Sequence, residues 1–438
     1  MQLLSNIWWY MVLIGVMILI HELGHYWAAR FFDVKVETFS FGFGPRLFGF
    51  QRGETDFRFS AILFGGYVRM LGEQPGDEGA LDPRSLLSKP RWQRVIIAFA
   101  GPGINIVLAV VLLTGLFMER YPKIPTPHSP VIGQVLETGA AYKAGVREGD
   151  RLKQFDDIAD PTWDDVAMKE VSSAGKEMDV WVERGGETLH LKMTPALNEK
   201  QGFGDAGWAQ EAEVEVADVR PDLDAGKQGI QRGDILLSAN GEKLRSPARL
   251  PAIIHDSEGK PVELVWLHKG ERKQAAVTPV KRSLDGPERW MIGVQLEPRI
   301  EIVKLGFISA LSESWKQNVQ SAKMIFKFLE GIVQRRMSAR SIEGPIRIAQ
   351  MSGEAAREGP ATFIGLMAAV SLNLAIFNLL PVPILDGGVM LMLFIEMLLR
   401  RDVDLRVKEA VLKVGFVFLM MVVVFVIYND ISKVLPAG

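Results

Sequence analysis

The sequence predicts a multi-pass α-helical membrane protein with four spans, a β-sheet at the membrane surface and two α+β domains inserted between the second and third spans. Three observations carry that expectation: long apolar stretches towards both ends, a charged middle, and an internal repeat within that middle. Hydrophobic residues make up 48% of the 438, yet 23% are charged, and the mean hydropathy is +0.12. A uniform soluble enzyme would be less apolar, and a bare bundle of spans would carry fewer charges. The net charge of −2 leaves no basic excess for nucleic acid. There is no cysteine, so disulfides and thiolate metal ligands are excluded.

The first span runs from Ile7 to about Phe32 and the second from Val95 to Met118, without a charge and at bilayer length. The third runs from Phe363 to Leu380, where Pro381 and Pro383 interrupt it, and the apolar run Val389–Leu399 follows. The fourth, Val414–Tyr428, is short and calls on Lys413 to snorkel. Basic residues crowd the loop between the first two spans, from Arg30 to Arg94, and recur between the last two as Arg400, Arg401, Arg406 and Lys408. The positive-inside rule therefore puts both loops in the cytoplasm, and both termini and the middle region outside. The first span lacks the charged start and cleavage site of a signal peptide. Within the first loop, Val34–Phe43 and Asp56–Ala61 alternate like strands, and Gly65-Gly66 lead into Tyr67-Val68-Arg69-Met70.

The middle region repeats with a period of 84 residues, seen in Gly149 and Gly233. Ala144-Gly145-Val146-Arg147-Glu148-Gly149-Asp150-Arg151-Leu152 returns as Gln228-Gly229-Ile230-Gln231-Arg232-Gly233-Asp234-Ile235-Leu236. Gly186-Glu187 matches Gly270-Glu271, and Thr194-Pro195 matches Thr278-Pro279, without a gap. The A-G-V-x-x-G-D-x-L string resembles that of PDZ domains in bacterial periplasmic proteases. After the second copy, Leu305, Ile308, Leu311, Trp315, Val319, Phe326, Leu329 and Ile332 recur at helical spacing. They predict one or two amphipathic helices on the bilayer, on the spans or on the soluble domains. The expected divisions are 1–120, 126–205, 210–284, 300–350 and 360–430.

Inside the first span stands His21-Glu22-Leu23-Gly24-His25, an H-E-x-x-H motif. On a helix, positions i and i+4 lie about 40° apart, so both imidazoles can reach one ion. Glu22, beside the first ligand, can act as a general base towards the attacking water. Ionisable groups within an apolar span are costly and mark function. Without cysteine, a zinc ion here would have to be held by histidine and carboxylate, and two histidines leave a catalytic site one protein ligand short.

The candidate third ligand lies in Asn378-Leu379-Leu380-Pro381-Val382-Pro383-Ile384-Leu385-Asp386-Gly387-Gly388. Two prolines and two glycines break the helix at membrane depth, a break that persists where it lines a cavity. Asp386 could complete the site, although Asp-Gly-Gly read alone is more simply a turn.

H-E-x-x-H in the first span with N-x-x-P-x-P-x-L-D-G in a late one resembles the site-2 protease family of intramembrane zinc metalloproteases. Gly101-Pro102-Gly103-Ile104-Asn105, Gly42-Phe43-Gly44-Pro45, Gly65-Gly66-Tyr67-Val68 and Gly344-Pro345-Ile346 belong to the same pattern, which covers nearly the whole chain. Tandem PDZ-like domains narrow it to the bacterial branch that cuts a membrane-bound anti-sigma factor after an earlier outer cut. The resemblance implies an inner-membrane enzyme with its active site towards the cytoplasm and periplasmic PDZ-like domains that filter substrates by size. It makes His21, His25 and Asp386 zinc ligands, Glu22 the catalytic base and Asn378 a holder of substrate backbone. Val389 stands where these proteases often carry His. The Gly65-Gly66-Tyr67-Val68 edge offers an extended substrate a strand to pair with. Gly101 and Gly103 serve either that site or helix packing. The expected partners are the bilayer and a single-span substrate, and the expected state is a monomer. A membrane-anchored PDZ tandem with an incidental metal, or a transport or regulatory protein on the same scaffold, would not need Glu22.

Overall fold

The computed structural model describes residues 2–73, 79, 81–123, 130–198, 203–282, 288–334 and 344–434. The chain forms two units: Met1–Tyr121 with Lys304–Ile325 and Ile342–Gly438, and Pro122–Val303 with Phe326–Ser341.

In the first unit, α1 (Gln2–Phe31) leads into two long strands, β1 (Val36–Arg52) and β2 (Thr55–Met70), followed by α2 (Arg91–Glu119). The later helices are α3 (Phe307–Val333), of which the part up to Ile325 belongs to this unit, α4 (Pro345–Glu358), α5 (Pro360–Leu379), α6 (Asp386–Leu399) and α7 (Leu405–Val434). Among the described residues, four helices are long and apolar enough to cross a membrane: α1, α2, α5 and Leu405–Ser432 of α7. The sequence reading began the fourth stretch at Val414, whereas α7 starts nine residues earlier on a charged turn. That turn is anchored, because Lys408 pairs with Glu396 of α6. At 14 residues α6 is too short to span alone and resumes the third hydrophobic region after the break.

β1 and β2 both bend, so four segments lie side by side: 66–70 beside 36–41, 36–41 beside 56–59, and 55–60 beside 46–52. Val36, Phe39, Val68 and Met70 pack on Ala29 of α1 and Ile97 of α2. Gly65, at φ +122, carries the bend, and a Cβ there would lie 2.2 Å from the Phe43 ring. Segment 66–70 is an outer strand with one pairing partner among the described residues.

The apolar stripe of α3 does not make its contact with α2. Instead the small residues approach: Ala310, Ser314 and Asn318 are buried, and the Ser314 hydroxyl shares a 2.7 Å hydrogen bond with Thr114. Ile308 and Trp315 stay 75% and 58% exposed. Without a hydrophobic drive between helices, close approach and side-chain hydrogen bonds decide which face is used. The Gly344-Pro345-Ile346 string starts α4 under Asp430 of α7, whose carboxylate accepts from the N–H groups of Gly344 and Ile346 at 2.9 Å. The basic pair Arg335-Arg336 lies outside the described residues.

In the second unit the 84-residue register holds element by element. Arg151–Phe155, Ile158–Ala159, Met178–Arg184 and Glu187–Met193 form one sheet. Ile235–Ala239, Glu242–Lys243, Val262–His268 and Glu271–Val277 repeat them. A short helix in each copy (Ala140–Lys143, Asp224–Lys227) precedes the Gly-Asp turn. Both copies draw a late strand from beyond the residues that sequence assigned them: Trp208–Gln210 on Ile132–Val135, and Val294–Pro298 on Val214–Val219. The turn aspartates are buried acceptors. Asp150 takes two 2.7 Å bonds from Arg184, and at the matching position Asp234 takes one of 2.8 Å from His268.

In the first copy a helix, Trp163–Val171, ends against the loop before Trp208. Its Glu170 accepts from the Ala206 N–H and from Trp208 Nε1. The second copy has Ile254 in register, inside the core. Burial pushes the Glu170 carboxyl up to about 7, the two hydrogen bonds oppose the rise and Asp205 adds to it. An acid whose folded pKa is raised holds its proton more tightly when folded, so its contribution falls as pH climbs. From the ordinary 4.5 to neutrality the first copy should lose about 2–3 kcal/mol. Hydrogen exchange in strands 178–193, with strands 262–277 as internal reference, should show that slope. Glu170→Gln should abolish it, and a persisting slope would assign it elsewhere.

Candidate metal centre

The centre is built where α1 and α2 cross. Gly24 makes the crossing close, since a Cβ there would lie 2.3 Å from the Ala100 carbonyl oxygen. At that distance the two histidines, one helical turn apart, face α2 together. Their Nε2 atoms are 3.3 Å apart. Three positions on one face of α2, four residues apart, receive them. The Ile97 carbonyl accepts from His25 Nδ1 at 2.8 Å, which leaves Nε2 unprotonated in the neutral ring. Gly101 leaves the space, and Asn105 lies 3.3 Å from His21 Nδ1. A Cβ on Gly101 would come within 2.3 Å of His25 Nε2 and 2.9 Å of His21 Cε1. One on Gly103 would meet only the ring of Phe99, in the same helix. Gly101 therefore belongs to the site and Gly103 does not.

Asp386 arrives from the break between α5 and α6. Leu379 is the last residue of α5 and Asp386 the first of α6. The intervening loop is tight: Val382 N–H bonds the Leu380 carbonyl at 2.7 Å, and Leu385 N–H bonds that of Val382. Gly387 and Gly388 permit it, because a Cβ on either would fall 2.2–2.3 Å from a loop carbonyl oxygen. Ile384 holds φ at +89, a left-handed value costly for a β-branched residue. The Asp386 carboxylate reaches His21 Nε2 at 3.2 Å and His25 Nε2 at 3.4 Å. At the far end of α6, Glu396 is fully buried, paired with Lys408 and Arg91, and accepts from the Val403 N–H.

This donor set fits zinc. Three ligands of a tetrahedral ion at 2.0–2.1 Å stand about 3.3–3.4 Å from one another. The two Nε2 atoms are 3.3 Å apart, and Asp386 sets Oδ2 at 3.2 Å from His21 and Oδ1 at 3.4 Å from His25, so one donor atom from each residue lies within 4.8 Å of the others. Three protein donors with a fourth position left over is the catalytic pattern rather than the structural one. Among the described residues no other such group of potential metal ligands occurs.

A family model for peptidase family M50 matches residues 9–422. The chain belongs to peptidase family M50. It is a zinc metalloprotease, and the site-2 protease resemblance read from its motifs holds across the chain. The chain is 30% identical, over 99% of its length and 100% of the relative's, to the regulator of sigma-E protease RseP of Salmonella typhimurium. The Escherichia coli RseP is 28% identical over 97% of this chain and 98% of its own. A Xylella fastidiosa protein named as a zinc metalloprotease is 30% identical over 98% and 99%. Among solved structures, a PDZ domain of an SdrC-like protein from Listeria monocytogenes covers 20% of this chain and 90% of its own, at 22% identity and a TM-score of 0.18.

In this M50 peptidase the remaining candidates gather at the same place. Asn378, on the last turn of α5, lies 3.4 Å from His21 Nε2. Gly66 lies against Glu22, since a Cβ there would stand 3.0 Å from Glu22 Cγ. Glu22 has no hydrogen-bond or ion-pair partner among the described residues. Tyr67 is one strand position on, its hydroxyl accepting from Arg58 at 2.6 Å and its ring stacked on Phe43. Val68 points instead into the core beneath the sheet. Val389 follows the two glycines of α6, partly exposed. The Ile97 carbonyl carried no sequence signal, because backbone acceptors are not written in residue type. Asn105, a lone amide in an apolar span, was visible in the sequence without a role.

Gly101→Ala should weaken zinc binding about 100-fold, in line with an ångström-scale misplacement of ligands. Gly103→Ala should stay within a few-fold of the parent. Chelator competition on the purified proteins measures both, and equal losses would return Gly101 to ordinary helix packing.

Proposed function

We propose that this M50 peptidase cuts peptide bonds within transmembrane segments of single-span proteins of the anti-sigma-factor type, with His21, His25 and Asp386 as zinc ligands and Glu22 as catalytic base. One observation carries the reading: the donor triangle and Glu22 lie inside apolar helices, beside an outer strand whose Gly66 touches Glu22. The relatives named as regulators of sigma-E support a role in sigma-factor control.

Zinc, when bound, supplies Lewis-acid polarisation of the scissile carbonyl and of the attacking water. Glu22 takes the proton from that water and returns it to the leaving nitrogen. Asn378 offers its amide to the substrate backbone on the other side of His21. A helical substrate hides its peptide bonds, so an unwound stretch pairs with the Gly65–Val68 edge and is held extended past Glu22.

The supporting frame is a four-span chain in the bacterial inner membrane. Arg91 at the start of α2 bonds Asp402 before α7 at 2.8 Å, which brings the two basic loops to one end, the cytoplasmic end under the positive-inside rule. Ten residues of α1 follow His21, about 15 Å of helix, so the centre lies nearer that end. The two repeats, read as PDZ-like domains, face the periplasm and exclude substrates with bulky outer domains. The protease acts as a monomer.

Glu22→Gln should keep zinc and lose cleavage of a model single-span substrate by about 100-fold or more. His21→Ala and Asp386→Ala should lose both metal and cleavage. Undiminished proteolysis by Glu22→Gln would remove the base, and full occupancy in Asp386→Ala would remove the third ligand.

Val68→Pro should deprive the edge of a donor, bend it and abolish cleavage with zinc retained, whereas Val68→Ala should be mild. Equal rates for the proline variant and the parent would rule out strand addition at this edge.

Replacing residues 132–280 with a flexible linker should leave zinc bound and trimmed substrate cut. The same enzyme should cut a substrate with a folded outer domain faster than the parent does. Continued rejection of the untrimmed substrate would place the filter elsewhere.

A further inference from the structure

The two histidines differ in what holds their outer nitrogens. His25 Nδ1 faces a backbone carbonyl, an acceptor that cannot change. His21 Nδ1 faces Asn105, whose side chain is buried completely and can present either end of its amide. In the structure the amide nitrogen is turned to the ring, and Asn105 Oδ1 is buried without a hydrogen-bond partner among the described residues. An orphaned acceptor at this depth is costly.

We propose that Asn105 is a positioning residue for the metal centre: its amide turns over in the zinc-loaded enzyme, so that Oδ1 accepts from His21 Nδ1–H. The inference rests on His21 ligating through Nε2. A neutral imidazole that gives its Nε2 lone pair to a metal carries its proton on Nδ1. An NH2 group facing that proton would set donor against donor. A half-turn exchanges oxygen and nitrogen in nearly the same volume and turns the orphaned oxygen into the acceptor the ring requires. The amide's frame is fixed independently, because Ser371 of α5, itself fully buried, donates to the Asn105 backbone carbonyl at 2.8 Å. Ile97 and Asn105 then hold the two imidazoles from either side of Gly101, and the sequence places all three on one face of α2.

The test compares Asn105→Leu, which keeps the volume and removes the acceptor, with Asn105→Asp, which keeps the acceptor. Zinc affinity is measured on the purified full chain by chelator competition. Nitrogen NMR of the histidine side chains reports which His21 nitrogen carries the proton. Leu should weaken zinc about 10–100-fold, and Asp should remain within a few-fold of the parent, with Nδ1 protonated in the zinc-loaded parent. Parent-like affinity in the Leu variant would overturn the proposal. So would an Asp variant as weak as Leu, because packing alone would then explain both. If Leu yields no folded protein, the Asp variant and the parent's Nδ1 signal decide it. Asp386→Ala is run alongside: if it loses zinc while Leu keeps it, only the role of Asn105 falls. If both keep it, the ligand assignment falls as well.

Discussion

The closeness of α1 to α2 is the constraint on which this protein is built. The histidines of α1 have no room unless α2 presents Gly101 opposite them, and α2 cannot come near enough unless α1 presents Gly24. Burying two imidazoles between helices in lipid is tolerable only when every ring nitrogen has a partner. One face of α2 supplies the partners of the two Nδ1 atoms, and the break between α5 and α6 brings the Asp386 carboxylate to the two Nε2 atoms. In water, helices of this composition could associate through any apolar face. In a bilayer that drive is missing, and small residues with a few hydrogen bonds choose the contact. The same logic recurs at Thr114 and Ser314, and at Asp430 under the start of α4.

Much of the architecture was legible because its signals are periodic or compositional. Span-length apolar runs, the 84-residue register and the H-E-x-x-H spacing each survive without knowledge of neighbours. What stayed hidden depends on facing surfaces. The stripe from Leu305 to Ile332 predicted a helix, yet could not tell that Ala310 and Ser314 would meet α2. The domain boundaries missed strands 208–210 and 294–298, because three- to five-residue segments leave no pattern until their partner strands are known. Asp386 was ambiguous for a different reason: Asp-Gly-Gly serves a surface turn as well as a metal site, and only the approach of Leu379 and Val382 to the two glycines shows why both are required.

The two repeats show how one backbone register accommodates different chemistry. The buried aspartate of the Gly-Asp turn is held by a guanidinium, Arg184, in one copy and by an imidazole, His268, in the other. The helix that carries Glu170 in the first copy carries Ile254 in the second. A polar tether to the following loop is thereby exchanged for core packing. The same run of strands accommodates both.

The separation of the ligands along the chain bears on how the enzyme is made. Asn378 and His21 meet across 357 positions, and Asp386 lies farther on still. During synthesis the histidine pair enters the bilayer first, with two donors and no carboxylate. A ribosome must complete almost nine-tenths of the polypeptide before the third donor can reach them. On the proposed ligand set, a chain that stops short of Asp386 lacks one of its three donors.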